Sequence, residues 1–180
     1  MIITAIIFFI LYFIDQITKY FAQANLSTEI NTKFIPNVMS FRLEYNTGAA
    51  FSSFDNSGWL LIIISGLATI VLGYFLLKND WKHEKYKSFL LTMITAGCVG
   101  NLFDRIIMNI NSLNTTDGRP GVVDMIDFEF LDIIFDKLFH SSFAICNVAD
   151  VYLVLGLILF AIDLLFFADR RKKKYEASHR

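Results

Sequence analysis

The chain has 180 residues, 55% of them hydrophobic and 18% charged, with a mean hydropathy of +0.51. A soluble domain of this length has no core large enough for so much apolar surface, including 19 Phe, so the composition excludes an ordinary soluble fold and points to lipid as the solvent. The 16 Lys and Arg nearly balance 17 Asp and Glu, and a net charge of −1 gives no electrostatic footprint for nucleic acid.

A helix needs ~20 mainly apolar residues to cross a ~30 Å hydrocarbon layer. The first such segment covers about 2–21. Ala22-Gln23-Ala24 imitates a cleavage site, yet a basic leading region is missing and Asp15 and Lys19 interrupt the stretch, so an uncleaved helix is expected. In the link 22–56, Phe41-Arg42-Leu43-Glu44-Tyr45 alternates apolar and polar residues, which predicts a half-buried strand. Asn46-Thr47-Gly48-Ala49-Ala50-Phe51 then reads as a turn, with small residues that let another backbone approach.

The second span covers about 57–77, and the link 78–87 carries Lys78, Lys82, Lys85 and Lys87. The third covers about 88–108 and contains Gly97, Gly100, Asn101, Asp104 and Arg105. In the link 109–144, Val122 to Phe139 mixes apolar residues with Asp124, Asp127, Asp132 and Asp136, a pattern that fits a strand or an amphipathic helix on the membrane surface. The fourth span covers about 145–167, followed by a tail, 168–180, with Arg170, Arg171, Lys172, Lys173 and Lys174. Cys98 and Cys146 lie in or beside apolar segments and form no disulfide framework.

Four spans put both termini and the Lys-rich second link on one side, which the basic clusters mark as cytoplasmic. The basic tail itself reads as a topology determinant beside anionic lipid. The expected fold is therefore a single all-α membrane domain, with four transmembrane helices and a small extracytoplasmic β or amphipathic elaboration.

Ionisable residues inside spans cost roughly 2.5 to 3.5 kcal/mol each at a helix centre, so a chain keeps them where they are used. At ~1.5 Å per residue, Asp15 lies ~20 Å and Asp104 ~24 Å from the inner starts of their spans, and Asp150 ~8 Å from the outer start of its own. All three fall in the outer third of the bilayer, which suggests one shared polar site. Asp15 and Lys19, four residues apart, share a helix face and are expected to pair. Asp104 and Arg105 point to different sides, so one braces the bundle while the other faces the site. Asp163, near the inner end of its span, is expected to reach for the cytoplasmic interface.

These residues form an ordered series: Asp15-Gln16-Ile17-Thr18-Lys19, Asn46-Thr47-Gly48-Ala49-Ala50-Phe51-Ser52, Gly97-Cys98-Val99-Gly100-Asn101-Leu102-Phe103-Asp104-Arg105, Gly121-Val122-Val123-Asp124, and Phe143-Ala144-Ile145-Cys146-Asn147-Val148-Ala149-Asp150. The series resembles the lipoprotein signal peptidase (signal peptidase II) family over nearly the whole chain. The resemblance implies an aspartic endopeptidase of the bacterial cytoplasmic membrane, which removes the signal peptide of diacylglyceryl-modified prolipoproteins just before the lipidated cysteine. It implies Asp124 and Asp150 as the catalytic pair, Asn46 and Arg105 as substrate contacts, and Asn101 and Asn147 lining the site; the small-residue turn adds Gly48 on the substrate side, and the charge pattern puts Asp15, Lys19 and Asp104 in support. Asp127 sits in a similar Met-Ile-Asp-Phe context, and Asp124 is preferred. Two departures from the family pattern stand out: a long stretch between Arg105 and Gly121, and Cys146 where an aromatic is common.

Two adjacent carboxyls that share a proton are suited to activating water and protonating a leaving amine. No metal or other cofactor is expected, since His83, His140 and His179 are scattered without ligand spacing. The expected partners are prolipoprotein substrates and membrane lipid, with no nucleic acid, and the enzyme is expected to be a monomer. Carboxylates across several spans also suit a proton-coupled carrier or accessory subunit. Against that stand the clustering of charges away from the midplane and the confinement of the only prolines, Pro36 and Pro120, to links.

Overall fold

The computed structural model describes residues 2–47, 57–114 and 121–167. Along these run α1 (Ile2–Asn25), β1 (Thr32–Ile35), β2 (Met39–Asn46), α2 (Ser57–Lys78), α3 (Lys85–Asn114), β3 (Val122–Asp127), α4 (Glu129–Phe139) and α5 (Val148–Phe166). Four of the helices, α1, α2, α3 and α5, are long and apolar enough to cross a membrane. They overlie the four apolar segments, and α1 and α3 run several residues beyond them.

The bundle is built around α3, which packs against α1, α2 and α5, while α1 also touches α5. In lipid no hydrophobic force sorts helices, so small and polar residues decide which faces meet. The residues of α1 that are buried are Asp15, Lys19 and Ala22, while Ile6, Phe9, Ile10 and Phe13 remain exposed on its outside. In α5 the buried residues are Ala149, Gly156 and Asp163, seven apart, which puts them on one seam. Along that seam, Gly156 leaves room for Ile94, whose Cγ1 lies 2.6 Å from where a Cβ would stand.

The strands form an antiparallel sheet in the order β1-β2-β3. The alternation at Phe41 to Tyr45 produces β2 as expected, with Leu43 buried, though a register irregularity falls between Phe41 and Glu44. The stretch Val122 to Phe139, which fits either a strand or a helix, divides into both. Val122 to Asp127 is β3, buried on both faces, and α4 carries the amphipathic remainder, with Glu129 and Asp132 in its first turn and Lys137 in its last. Leu43, Val123, Met125 and Ala22 form a small core that locks the sheet onto the end of α1.

Candidate functional site

Three local features bring the polar residues together at the sheet end of the bundle. The first is β3, paired to β2 with Asp124 opposite Glu44 and Val122 opposite Asn46. The second is the segment before α5. The Cys146 backbone N–H donates to the Ile126 carbonyl at 2.9 Å, and the Cys146 carbonyl accepts from Ile126 N at 2.7 Å and Met125 N at 3.0 Å. This short bridge carries Asn147 alongside β3. The third is the start of α5, a capping box in which Asn147 Oδ1 accepts from Asp150 N at 2.9 Å and Asp150 Oδ2 accepts from Asn147 N at 3.1 Å.

From these anchors a continuous chain of hydrogen bonds links two carboxyls. Asn147 Nδ2 donates to Asp124 Oδ1 at 2.6 Å and to Asn101 Oδ1 at 3.1 Å. Asn101 Nδ2 donates to Asp150 Oδ1 at 2.7 Å. Asp124 and Asp150 thus sit at the two ends of one amide relay, each holding an N–H donor on Oδ1.

Their surroundings differ. Asp124 is 1% exposed, and its Oδ2 is buried without a hydrogen bond. Burial pushes its carboxyl up to about 7, and the charge of Asp150 pushes the same way, against the hydrogen bonds of Asn46 and Asn147 and the more distant charge of Lys19. Asp150 is partly exposed, takes two hydrogen bonds, and stands in the first turn of α5, where the helix dipole favours a negative charge. The neighbouring Cys146 thiol is pushed up to about 12, by burial first and then by the charges of Asp150, Asp124 and Asp127, so it offers no thiolate nucleophile.

Beneath the relay lies a buried ion network. Lys19 Nζ, 2% exposed, contacts Asp104 Oδ2 at 2.8 Å, Asp15 Oδ2 at 2.9 Å and Asn101 Oδ1 at 3.1 Å. Asp15 Oδ1 accepts the Ala149 N–H at 2.9 Å, and Asp104 Oδ2 accepts the Val123 N–H at 3.3 Å. Thus α1, α3, β3 and α5 are tied at one point. Gly100 is what admits Asp15, since a Cβ there would stand 2.5 Å from Asp15 Oδ2.

Among the expected site residues, Asn46, Asn101, Asn147, Asp124 and Asp150 come together. Asp15, Lys19 and Asp104 lie directly behind them, and the Asp15–Lys19 pair is wholly buried. Arg105 turns to α2 instead, its Nη1 donating to Ser65 Oγ at 3.1 Å. Gly48 lies outside the described residues. Asp127, three residues along the strand from Asp124, belongs to the other face. Its Oδ2 accepts Asn31 Nδ2 at 3.5 Å, and burial, then the charge of Asp132, raises its carboxyl. Asp163 corrects an expectation: it does not reach for the interface but is buried, 1% exposed, because its seven-residue spacing from Gly156 places it on the α5 seam.

Two participants went unread in the sequence. Gln16 Nε2 donates to Asp104 Oδ1 at 3.2 Å and Asp15 Oδ2 at 3.1 Å, bracing both acids. The capping box was visible as Asn147 followed three residues later by Asp150, at the head of an apolar run. Among the described residues, no group of three or more His, Cys, Asp or Glu is arranged to hold a metal ion.

Residues 7–166 match the family described as signal peptidase (SPase) II. The chain is 31% identical over 173 residues to the lipoprotein signal peptidase of Pseudomonas paraeruginosa, covering 94% of this chain and 89% of that one. It is 34% identical over 154 residues to the lipoprotein signal peptidase of Lactococcus lactis subsp. lactis, covering 84% and 85%. A bacterial membrane enzyme solved by the in meso method superposes with a TM-score of 0.72 at 27% identity, covering 92% of this chain and 94% of that one. A second superposes with a TM-score of 0.68 at 28% identity.

Proposed function

The chain belongs to the signal peptidase II family, and from that premise we propose that it is an aspartic endopeptidase cutting diacylglyceryl-modified prolipoproteins just before the lipidated cysteine, with Asp124 and Asp150 as its catalytic pair. The observation that carries this reading is the unbroken relay from Asp124 through Asn147 and Asn101 to Asp150, with bonds of 2.6, 3.1 and 2.7 Å. In this reading the pair holds one proton between its two acids.

The asymmetry of surroundings supports a division of roles. Asp124 holds the proton on its unbonded Oδ2, and Asp150, steadied by two donors, carries the charge. Asp150 takes a proton from water as the water oxygen attacks the scissile carbonyl carbon, while the Asp124 proton polarises the carbonyl oxygen. As the C–N bond breaks, Asp150 passes its proton to the departing nitrogen, and Asp124 recovers its own from the collapsing intermediate. The two carboxyls supply every proton transfer in this scheme. Asn46, Gly48 and Arg105 are assigned to the substrate backbone, Arg105 through its planar donors.

The bilayer supplies the rest. A diacylglyceryl group and an apolar signal segment both hold the substrate in lipid, so the scissile bond meets the carboxyl layer at a fixed depth. The Lys-rich link 78–87 and the basic tail favour a topology with both termini in the cytoplasm and the carboxyls near the outer face of the bacterial cytoplasmic membrane.

The test uses the full chain in proteoliposomes without any ion gradient, with a diacylglyceryl prolipoprotein as substrate. Wild type should cleave it, which a gradient-dependent carrier would not do. Asp124→Asn and Asp150→Asn should each keep the wild-type melting temperature within a few degrees and lose cleavage. Cleavage retained in either variant overturns the dyad assignment.

A further inference from the structure

Each amide in the relay has two orientations, and only one pair of orientations serves both carboxyls. A reversed Asn101 would set its carbonyl oxygen against Asp150 Oδ1, acceptor against acceptor at 2.7 Å. Asn147 is held by the α5 cap, because its Oδ1 receives the backbone N–H of Asp150. Asn101 has no such backbone anchor. What meets its Oδ1, besides Asn147 Nδ2, is the ammonium of Lys19 at 3.1 Å.

An ammonium has three donors and accepts nothing, so it tolerates only oxygen. Two Lys19 contacts go to Asp15 and Asp104, and the third goes to the relay. Lys19 is also the only buried cation among the described residues. It faces Asp15 on α1, Asp104 on α3, and, through the amides, Asp124 on β3 and Asp150 on α5. Tyr12, Tyr152 and Cys146 are further titratable groups near these acids, and Glu44 stands opposite Asp124 in the sheet.

We propose that Lys19 is a positioning residue for the reaction: it fixes the polarity of the Asn101–Asn147 relay, so that both carboxyls receive N–H donors on Oδ1 and the shared proton resides on Asp124 Oδ2. The proposal rests on the dyad reading and adds to it the group that orients the pair from 3.1 Å behind. A merely structural ion pair would need only Asp15 and Asp104. The third contact couples that pair to the acids.

The experiment measures kcat and KM across pH for the full chain in proteoliposomes, in Lys19→Met, Lys19→Gln and Lys19→Arg. Removing the positive charge makes ionisation of the pair harder, so both limbs of the pH profile should move upward. For Lys19→Met the expected result is a kcat lower by about tenfold to a hundredfold with KM little changed, and an optimum higher by roughly one pH unit. Lys19→Gln, a donor without charge, should regain part of kcat and keep the raised optimum. Lys19→Arg should hold the wild-type optimum. A folded Lys19→Met or Lys19→Gln with an unmoved optimum overturns the proposal.

If both neutral variants fail to fold, Asn101→Ala decides, because it leaves the Lys19 ion pairs in place. A kcat loss in the same range supports the proposal, and an unchanged kcat overturns it. The two readings fail separately. Inactive Asp124→Asn and Asp150→Asn beside an unshifted Lys19→Met sink only the role of Lys19, whereas an active Asp124→Asn or Asp150→Asn sinks the dyad itself.

Discussion

Helices α2 and α3 are both long and apolar, yet they occupy opposite situations. More than half of the apolar window of α3 is buried in the protein, and none of that of α2 is. The more hydrophobic helix is the peripheral one. Lipid is as apolar as any side chain, so hydropathy decides that a segment crosses the membrane and says nothing of where it sits. Position is set by small and polar residues. On α3, Gly97 and Gly100 admit α5 and α1, and Asn101 and Asp104 join the relay and the ion network. On α2, Gly66 and Gly73 face open space, and among the described residues its polar contacts to α3 are few: Ser65 Oγ to Arg105, Thr69 Oγ1 to Cys98 Sγ at 3.3 Å, and the Ser65 carbonyl to Cys98 Sγ at 3.7 Å.

The largest effect expected from this contrast lies in the polar layer gathered around α3. Asn in place of Asp124 or Asp150 should lower the cleavage rate by about a thousandfold or more, because each removes one member of the proposed dyad. Asp127→Asn should leave cleavage near wild type, since that carboxyl faces Asn31 and lies outside the relay. Single-turnover cleavage of a diacylglyceryl substrate checks all three, and a crippled Asp127→Asn beside an active Asp124→Asn would shift the site to the other face of β3.

Next come the glycines of α3. A Cβ on Gly97 would stand 2.5 Å from the Ala149 carbonyl oxygen, a backbone atom that cannot swing aside. On Gly100 it would meet Asp15 Oδ2, which Lys19 and Gln16 already hold. Gly97→Ala and Gly100→Ala should each destabilise by about 1–3 kcal/mol, read as a lower melting temperature in detergent. Gly100→Ala should also slow cleavage, by pressing Asp15 off Lys19.

A third effect follows from acidity. In the proposed scheme Asp124 acts in its protonated form, and burial pushes its carboxyl up to about 7. Raising pH through that value removes the acid, so kcat/KM should fall above about pH 7, by roughly tenfold per unit once deprotonation dominates. An alkaline limb that begins well above pH 9 would show that Asp124 is not the proton donor.

Much of this layer was legible in the chain. The spacing of Asp15 and Lys19 gave their pairing, and counting helical rise set Asp15, Asp104 and Asp150 at one depth. Asp124 was not legible that way, because a carboxylate in a link outside the spans costs little and so attracts no notice. Only resemblance singled it out. Nor could the pattern over Val122 to Phe139 choose between strand and helix, because Val122 to Asp127, buried on both faces, shows no apolar–polar alternation, and helical spacing begins only with Phe130, Ile133 and Ile134. Asp163 misled because nearness to a helix end suggested a route to water, while the spacing of Ala149, Gly156 and Asp163 pointed to the seam. The Asn101–Asn147 bond joins residues 46 apart in sequence, and no local pattern predicts such a contact.

The smallest effect is expected on α2, and it is the sharpest check of the contrast. Nothing lies within 4 Å of a Cβ added at Gly66 or Gly73, so Ala meets no protein atom there. What remains is the backbone term: Ala restricts the unfolded chain and favours the helix by about 0.5–1 kcal/mol over Gly. Gly66→Ala and Gly73→Ala should therefore melt at or slightly above the wild-type temperature and cleave at the wild-type rate. The same one-carbon change thus has opposite signs on two neighbouring helices. If Gly66→Ala cost as much as Gly97→Ala, α2 would have to be packed against protein on its outer face, and the division between a central α3 and a lipid-facing α2 would fail.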